Sequence, residues 1–409
     1  TLTNGSVSSI GDSLSFTITV NPTGQVDQPD NYEYCDGDTA VIDFTTSNTG
    51  LNSLTTYSWT FSGDDIGLDA SIAGDISQQI TNATTDTLTA LITVTPTYTN
   101  DGESCVGPSK EFTITVSPTA QVEQIEDIVE CNGASLEAIL FSSENTNGTT
   151  LYNWTNDTPS IGLEAIGNGN IESFVAVNGG SSPIVATIVV TPTYDVTDPL
   201  LACEGEEITF TITVNPTGQV DQPDNYEYCD GDTAVIDFTT SNTGLNSLTT
   251  YSWTFSGDDI GLDASIAGDI SQQITNATTD TLTALITVTP TYTNDGESCV
   301  GPSKEFTITV SPTAQVEQIE DIVECNGASL EAILFSSENT NGTTLYNWTN
   351  DTPSIGLEAI GNGNIESFVA VNGGSSPIVA TIVVTPTYDV TDPLLACEGE
   401  EITFTITVN

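Results

Sequence analysis

The sequence predicts an all-β protein, a tandem array of four β-sandwich modules forming an elongated rod. Three observations carry this: an internal duplication, apolar residues alternating with Thr at period two, and a pair of cysteines in every hundred-residue stretch. The run Asn21-Pro22-Thr23-Gly24-Gln25-Val26 returns letter for letter at Asn215-Pro216-Thr217-Gly218-Gln219-Val220 and continues to Val408, a period of 194 residues. A weaker period of 96 to 98 lies inside it, since Tyr57-Ser58-Trp59 matches Tyr152-Asn153-Trp154. The module is therefore about one hundred residues long. The modules run 21–117, 118–214, 215–311 and 312–409 in the order A-B-A-B. Residues 1–20 align without a gap onto 97–116 and read as the final strand of a preceding module. With no initiator Met and no signal or transmembrane segment, the chain reads as a window of something longer.

Strand signals recur at short spacing. In Ala90 to Thr95 and Phe112 to Val116 apolar residues alternate with Thr, and module B repeats this at Ala186, Ile188, Val190 and at Phe210, Ile212, Val214. Period two means one face packed and one wet. Turn clusters such as Ser62-Gly63-Asp64-Asp65 and Asn100-Asp101-Gly102 separate the runs, and an antiparallel sandwich of about seven strands per module follows.

The eight cysteines fall two to a module: Cys35 with Cys105, Cys131 with Cys203, Cys229 with Cys299, and Cys325 with Cys397. One pair per repeat points to disulfides within each module and to an oxidising compartment. Each would close about 70 residues, worth about 4 kcal/mol in the chain-entropy model. Two thiolates per module, with no His, cannot supply the four ligands of a structural zinc.

Lys110 and Lys304 are the only cationic side chains against 57 carboxylates, for a net charge of −55. Nucleic acid and anionic membrane surfaces are excluded as partners, because both are gripped by clustered Lys and Arg. The acidity reads as a solvated surface that keeps modules apart. Catalysis lacks its parts: there is no His for a triad, no Gly-x-Ser-x-Gly, and no phosphate-cradling glycine loop before a Lys. The chain reads as a non-enzyme.

Tyr57-x-Trp59-x-Phe61 followed by Ser62-Gly63-Asp64-Asp65 resembles the Tyr-x-Trp-x-Phe-Gly-Asp-Gly strand of PKD-like repeats, and the Phe210-Thr211-Ile212-Thr213-Val214-Asn215-Pro216-Thr217 module ending is similar to theirs. Over nearly all its length the chain resembles the PKD-like and Ig-like repeats of giant Bacteroidota cell-surface adhesins, including the SprB type used in gliding motility. Module B departs from the pattern with Asn156-Asp157-Thr158-Pro159 after Trp154, so the acidic turn is not a shared site. The resemblance implies export by type IX secretion to the bacterial outer surface and a role in adhesion or motility, with cell-surface motility machinery as a partner.

Trp59, Trp154, Trp253 and Trp348 read as core aromatics, with carbohydrate stacking as the alternative. Asp36-Gly37-Asp38 and Asp64-Asp65 offer hard oxygen ligands, leaving structural calcium open beside the reading of no cofactor. Ser13, Thr39, Thr87, Thr233 and Thr281 sit in Asp-Ser/Thr-hydrophobic triplets that resemble Bacteroidota O-glycosylation acceptors. The Asn-x-Ser/Thr sites, Asn82 among them, would matter only in a eukaryotic host.

Together these describe a structural stalk segment of a secreted adhesin, spacing and displaying adhesive regions beside neighbouring repeats of the same chain. The alternatives are a donor-strand filament subunit, in which the leader strand Ser15 to Val20 completes a neighbour, and lectin-like modules that bind a surface or glycan ligand. Strands of roughly ten residues at about 3.3 Å each, plus loops, make a sandwich about 40 Å long, so four in line reach roughly 160 Å. Solution scattering should return that elongated particle; a maximum dimension near that of a compact 409-residue globule overturns the rod.

Overall fold

The structure is a computed structural model that describes all residues except 1, 6, 10, 50–53, 70–72, 197–200, 244–247, 264–266, 341 and 390–394. The chain forms two compact units: one of residues 1–128, 135–175 and 185–212, the other of 129–134, 176–184 and 213–409.

In the first unit, module 21–117 contributes seven strands. Its main sheet has the order Tyr32–Cys35, Lys110–Ser117, Leu88–Asn100, Leu54–Gly63, with Glu103–Val106 also paired to Leu88–Asn100. Thr39–Ile42 pairs antiparallel with Ile76–Gln79 as the second sheet. The alternation read from the sequence sets the facing: Ala90, Ile92, Val94, Ile114 and Val116 are fully buried, against Ile42, Ile66, Ile76 and Ile80 from the other layer. Trp59, opposite Val94 in the register, closes the core at 1% exposure. Burying side chains of this size stabilises by roughly 2–3 kcal/mol each.

Pro96 sits inside the long central strand, where a missing N–H would ordinarily break a ladder. It falls where the strand changes partner: Val94 is the last residue paired to Lys110–Ser117 and Thr97 the first paired to Glu103–Val106. No ladder bond is required of it on that side.

In the second unit, 215–311 repeats this module with the same sheet order and core. Module 312–409 builds a sheet ordered Ile322–Glu324, Ile402–Val408, Ile378–Tyr388, Thr344–Asn350, Ile360–Asn362, with Ser329–Leu330 on Phe368–Val369 as its second layer. Its Trp348 ring lies over Gly361, where a Cβ would stand 2.2 Å from the ring, so the strand facing the indole must be bare. Trp154 and Gly167 repeat this in the first unit at 2.1 Å. The all-β fold and its repeated sandwiches match expectation.

Two features differ from it. The sandwich is not wholly antiparallel: Tyr32–Cys35 runs parallel to Lys110–Ser117, Tyr226–Cys229 to Lys304–Ser311, and Ile322–Glu324 to Ile402–Val408. In the leader, Leu2–Asn4 pairs with Val7–Ser9 in the register of Tyr98 to Asn100 on Glu103 to Cys105, as the alignment requires. The expected final strand at Ser15 to Val20, however, does not form. Phe16, Ile18 and Val20, whose counterparts are core, are 79%, 78% and 87% exposed. A strand needs a ladder partner, and the main sheet of every described module already holds its own final strand.

At the entry to each module the chain crosses the loop after the second cysteine at backbone contact. A Cβ at Gly301 would lie 1.7 Å from the Gly218 carbonyl oxygen, and Gly107, Gly205 and Gly399 meet Gly24, Ala120 and Ala314 at 1.7–1.8 Å. Gly301→Ala should therefore lower the stability of its body by about 1–3 kcal/mol, the usual range for forced overpacking. Gly179→Ala, which meets open space, should leave the denaturant midpoint within about 0.5 kcal/mol of the parent. Equal midpoints for the two variants would show that the crossing yields freely.

Candidate functional site at the module junctions

The parallel first strand decides where the cysteines go. Cys35 lies opposite Ser117, at the end of the last strand, whereas Cys105 lies opposite Tyr98, before that strand begins. The seven residue steps from Lys110 to Ser117 separate the two poles by about 23 Å at about 3.3 Å per residue. A disulfide needs Cα atoms within about 7 Å, so the within-module pairs cannot form.

The bridges instead join successive modules. Cys35 pairs with Cys203, Cys131 with Cys299, and Cys229 with Cys397, each across 168 residues. This corrects the pairing of Cys35 with Cys105, Cys131 with Cys203, Cys229 with Cys299 and Cys325 with Cys397. The cysteine at the far pole of one module meets the cysteine at the near pole of the next. Cys105 and Cys325 are unbridged. Their copies show what a neighbour changes: Cys299 is 1% exposed in its junction while Cys105 is only half-buried, and Cys131 is half-buried while Cys325 is exposed.

Hydroxyls and backbone amides meet beside the bridges, and carboxylates reach them as well: Asp38 and Asp232 accept from the Cys35 and Cys229 N–H groups, and a Glu297 carboxylate oxygen lies 3.9 Å from Cys131 Sγ. Within the first unit Thr146 N–H donates to the Thr85 carbonyl at 2.9 Å, and the Tyr194 hydroxyl donates to the Thr146 carbonyl at 3.1 Å while lying 3.2 Å from Thr87 Oγ1. Ala120, Tyr194 and Cys203 form a small buried cluster with Cys35 beside it. Gly148 lets the tyrosine through, since a Cβ there would stand 2.1 Å from its hydroxyl. In the second unit Thr340, Thr279, Tyr388, Thr281 and Ala314 repeat the arrangement around Cys229–Cys397. The bridge Cys131–Cys299 has a different setting: Thr243 N–H donates to the Ser181 carbonyl at 2.7 Å, and Asn294 Nδ2 donates to Asn215 Oδ1 at 3.1 Å.

Sequence reasoning missed the residue that ties each pole together. Buried Asn82 donates from Nδ2 to the Asp86 and Val116 carbonyls, both at 2.8 Å, accepts from Thr84 on Oδ1, and donates its N–H to Asp36 Oδ1 at 2.6 Å. Asn276 and Asn372 do the same against Val310 and Val408, and Asn178 against Val214. The signal was an Asn recurring at one place in all four modules, of which only Asn82 was singled out, as a glycosylation triplet.

Trp59, Trp154, Trp253 and Trp348 are 1%, 6%, 1% and 7% exposed, inside the cores. The acidic candidates for calcium already accept N–H groups: Asp38 Oδ2 from Cys35, Asp64 Oδ2 from Thr89 and Asp65 Oδ1 from Gly67. Among the described residues no group of three or more His, Cys, Asp or Glu gathers to hold a metal. Ser13, Thr39 and Thr233 are exposed, whereas Thr87 and Thr281 lie half-buried with hydroxyls against Tyr194 and Tyr388. On the surface, the Thr211 N–H holds the Asp127 carboxyl below the usual carboxylate range, and the Thr187 and Thr381 N–H groups, helped by the hydroxyls of Thr158 and Thr352, do so for Asp157 and Asp351.

No family model and no curated protein matches the chain. Among solved structures it is similar to the human desmocollin-1 ectodomain, at 11% identity over 93% of this chain and 80% of that one with a TM-score of 0.27. It is also similar to Drosophila N-cadherin EC1-4, at 10% over 93% and 99% with 0.23, and to mouse cadherin-23 EC22-24, at 13% over 71% and 99% with 0.30.

Non-reducing peptide mapping of the folded protein should recover Cys35–Cys203, Cys131–Cys299 and Cys229–Cys397, with Cys105 and Cys325 open to alkylation. Recovery of Cys35–Cys105 would refute the junction geometry.

Proposed function

We propose that this chain is a spacing and display segment of an extracellular cell-surface adhesin, with no catalytic role. The observation that carries the reading is that each bridge fastens one module to the next rather than closing a module on itself. Entropy alone gives little reason for that choice, since closing 168 residues stabilises by about 5 kcal/mol against about 4 kcal/mol for 70. What the long bridges add is a fixed relation between neighbours. Three disulfides fit an oxidising, extracellular setting. The unbridged Cys105 and Cys325 stand at the poles where further repeats of the same kind would continue the pattern. The finer assignment is to a Bacteroidota adhesin of the gliding-motility type, exported by type IX secretion, with O-glycans on Ser13, Thr39 and Thr233. It rests on the motif resemblance and, for the sugars, on the exposure of those hydroxyls.

The test is a graft. Placing the chain between a cell-surface anchor and an epitope should move the epitope outward, and a second 194-residue repeat should move it further, while the isolated chain is not retained on a glycan array. Specific retention of the isolated chain by one glycan class would replace display with ligand binding.

One observation favours a second reading, strand donation: the apolar stripe Phe16, Ile18, Val20 is exposed. Each described module keeps its own last strand, so the acceptor would be another body. Removing residues 1–20 should abolish any self-assembly of the chain under that reading and leave it unchanged under display.

A further inference from the structure

The order of the bridged cysteines along the chain has a mechanical meaning. The backbone from Cys203 to Cys229 spans 26 residues (229 − 203), and so do those from Cys105 to Cys131 (131 − 105) and from Cys299 to Cys325 (325 − 299). Each of these connectors takes in the last strand of one module and the first strand of the next, as in Ile208–Asn215 followed by Tyr226–Cys229. The disulfides splice connectors end to end. One covalent path runs from Cys35 across its bridge to Cys203, along the backbone to Cys229, and across to Cys397. The other runs from Cys105 along the backbone to Cys131, across to Cys299, and on to Cys325.

The module bodies, with both core layers and the tryptophans, hang between these paths as loops. In module 21–117 the paths lie side by side, since Tyr32–Cys35 belongs to the first and its hydrogen-bonded parallel neighbour Lys110–Ser117 to the second. Tyr226–Cys229 and Lys304–Ser311 repeat this.

We infer that the interlocked bridges turn one polypeptide into two parallel covalent tracks that carry tension, and tolerate a single backbone cut, past the module bodies. A pull on the chain is borne by the connectors and bridges, so unfolding a body releases no length along the line of force. Any one peptide bond between Cys35 and Cys397 can be cleaved without severing the molecule, because at least one of the three disulfides spans every position in that interval. The biological use of such a tether rests on the display reading above; the connectivity does not.

Two measurements test it. In the first, a unique protease site is inserted between the exposed Glu206 and Glu207, on the Cys203 to Cys229 connector. After cleavage the full chain should migrate as one intact-length species on denaturing non-reducing gels and as two fragments after reduction. The Cys131→Ser/Cys299→Ser double variant, whose missing bridge is the only one spanning that bond, should separate without reductant. Separation of the fully bridged chain without reductant overturns the inference. In the second, the chain is stretched between handles on Thr1 and Asn409. At about 3.4 Å per residue the final extension should be about 250 Å when bridged and about 1,400 Å after reduction. A bridged extension of about 430 Å, the value for bridges within modules, also overturns it. Both readouts report covalent connectivity whether or not the chain mediates attachment, so failure of the display reading would leave them unmoved.

Discussion

In modules 21–117, 215–311 and 312–409 the first strand lies parallel to the last, and the rest of the molecule depends on that pairing. A parallel neighbour must be reached by a long crossover, here the whole sandwich, and it delivers the chain to the same pole at the beginning and end of the module. The first cysteine is thereby carried to the pole at which the module hands over to its successor. The second stays at the opposite pole, on the short strand beside Tyr98, Tyr194, Tyr292 or Tyr388. An antiparallel first strand would have placed both at one end.

The junctions show how so acidic a chain brings its modules into contact. A net charge of −55 with two cations leaves almost no opposite charge to recruit, and the junctions are joined by hydroxyls, backbone and side-chain amides, alanine and the disulfides themselves, with the Glu297 carboxylate beside Cys131–Cys299. Carboxylates near the poles are occupied locally. Asp36 accepts from the Asn82 N–H on one oxygen and from the Thr119 hydroxyl on the other, and Asp230 does the same with Asn276 and Thr313. Such charge-assisted bonds disperse the negative charge onto backbone dipoles, where a salt bridge would otherwise be required.

Much of this was legible in the sequence. The period of 194, the alternation at Ala90, Ile92, Val94 and the buried tryptophans follow from patterns that depend only on neighbours along the chain. What could not be read was strand direction. Tyr32–Cys35 carries the same alternation whether it runs parallel or antiparallel to its neighbour, so two cysteines per module looked like one bridge per module. The tie made by Asn82 was hidden for a related reason, because its partner carbonyl on Val116 is 34 residues away and leaves no local pattern.

The identity of Cys105 and Cys299, one half-buried and unbridged and the other sealed in a junction, bears on how such a gene changes length. Because every bridge reaches 168 residues forward and the letter-for-letter repeat is 194, unequal recombination that adds or removes one whole repeat leaves each remaining interior cysteine with a partner in identical surroundings. No new interface has to evolve with the extra length. The copy number can therefore drift freely between lineages, and selection can act on the reach of the protein without touching the chemistry that holds it together.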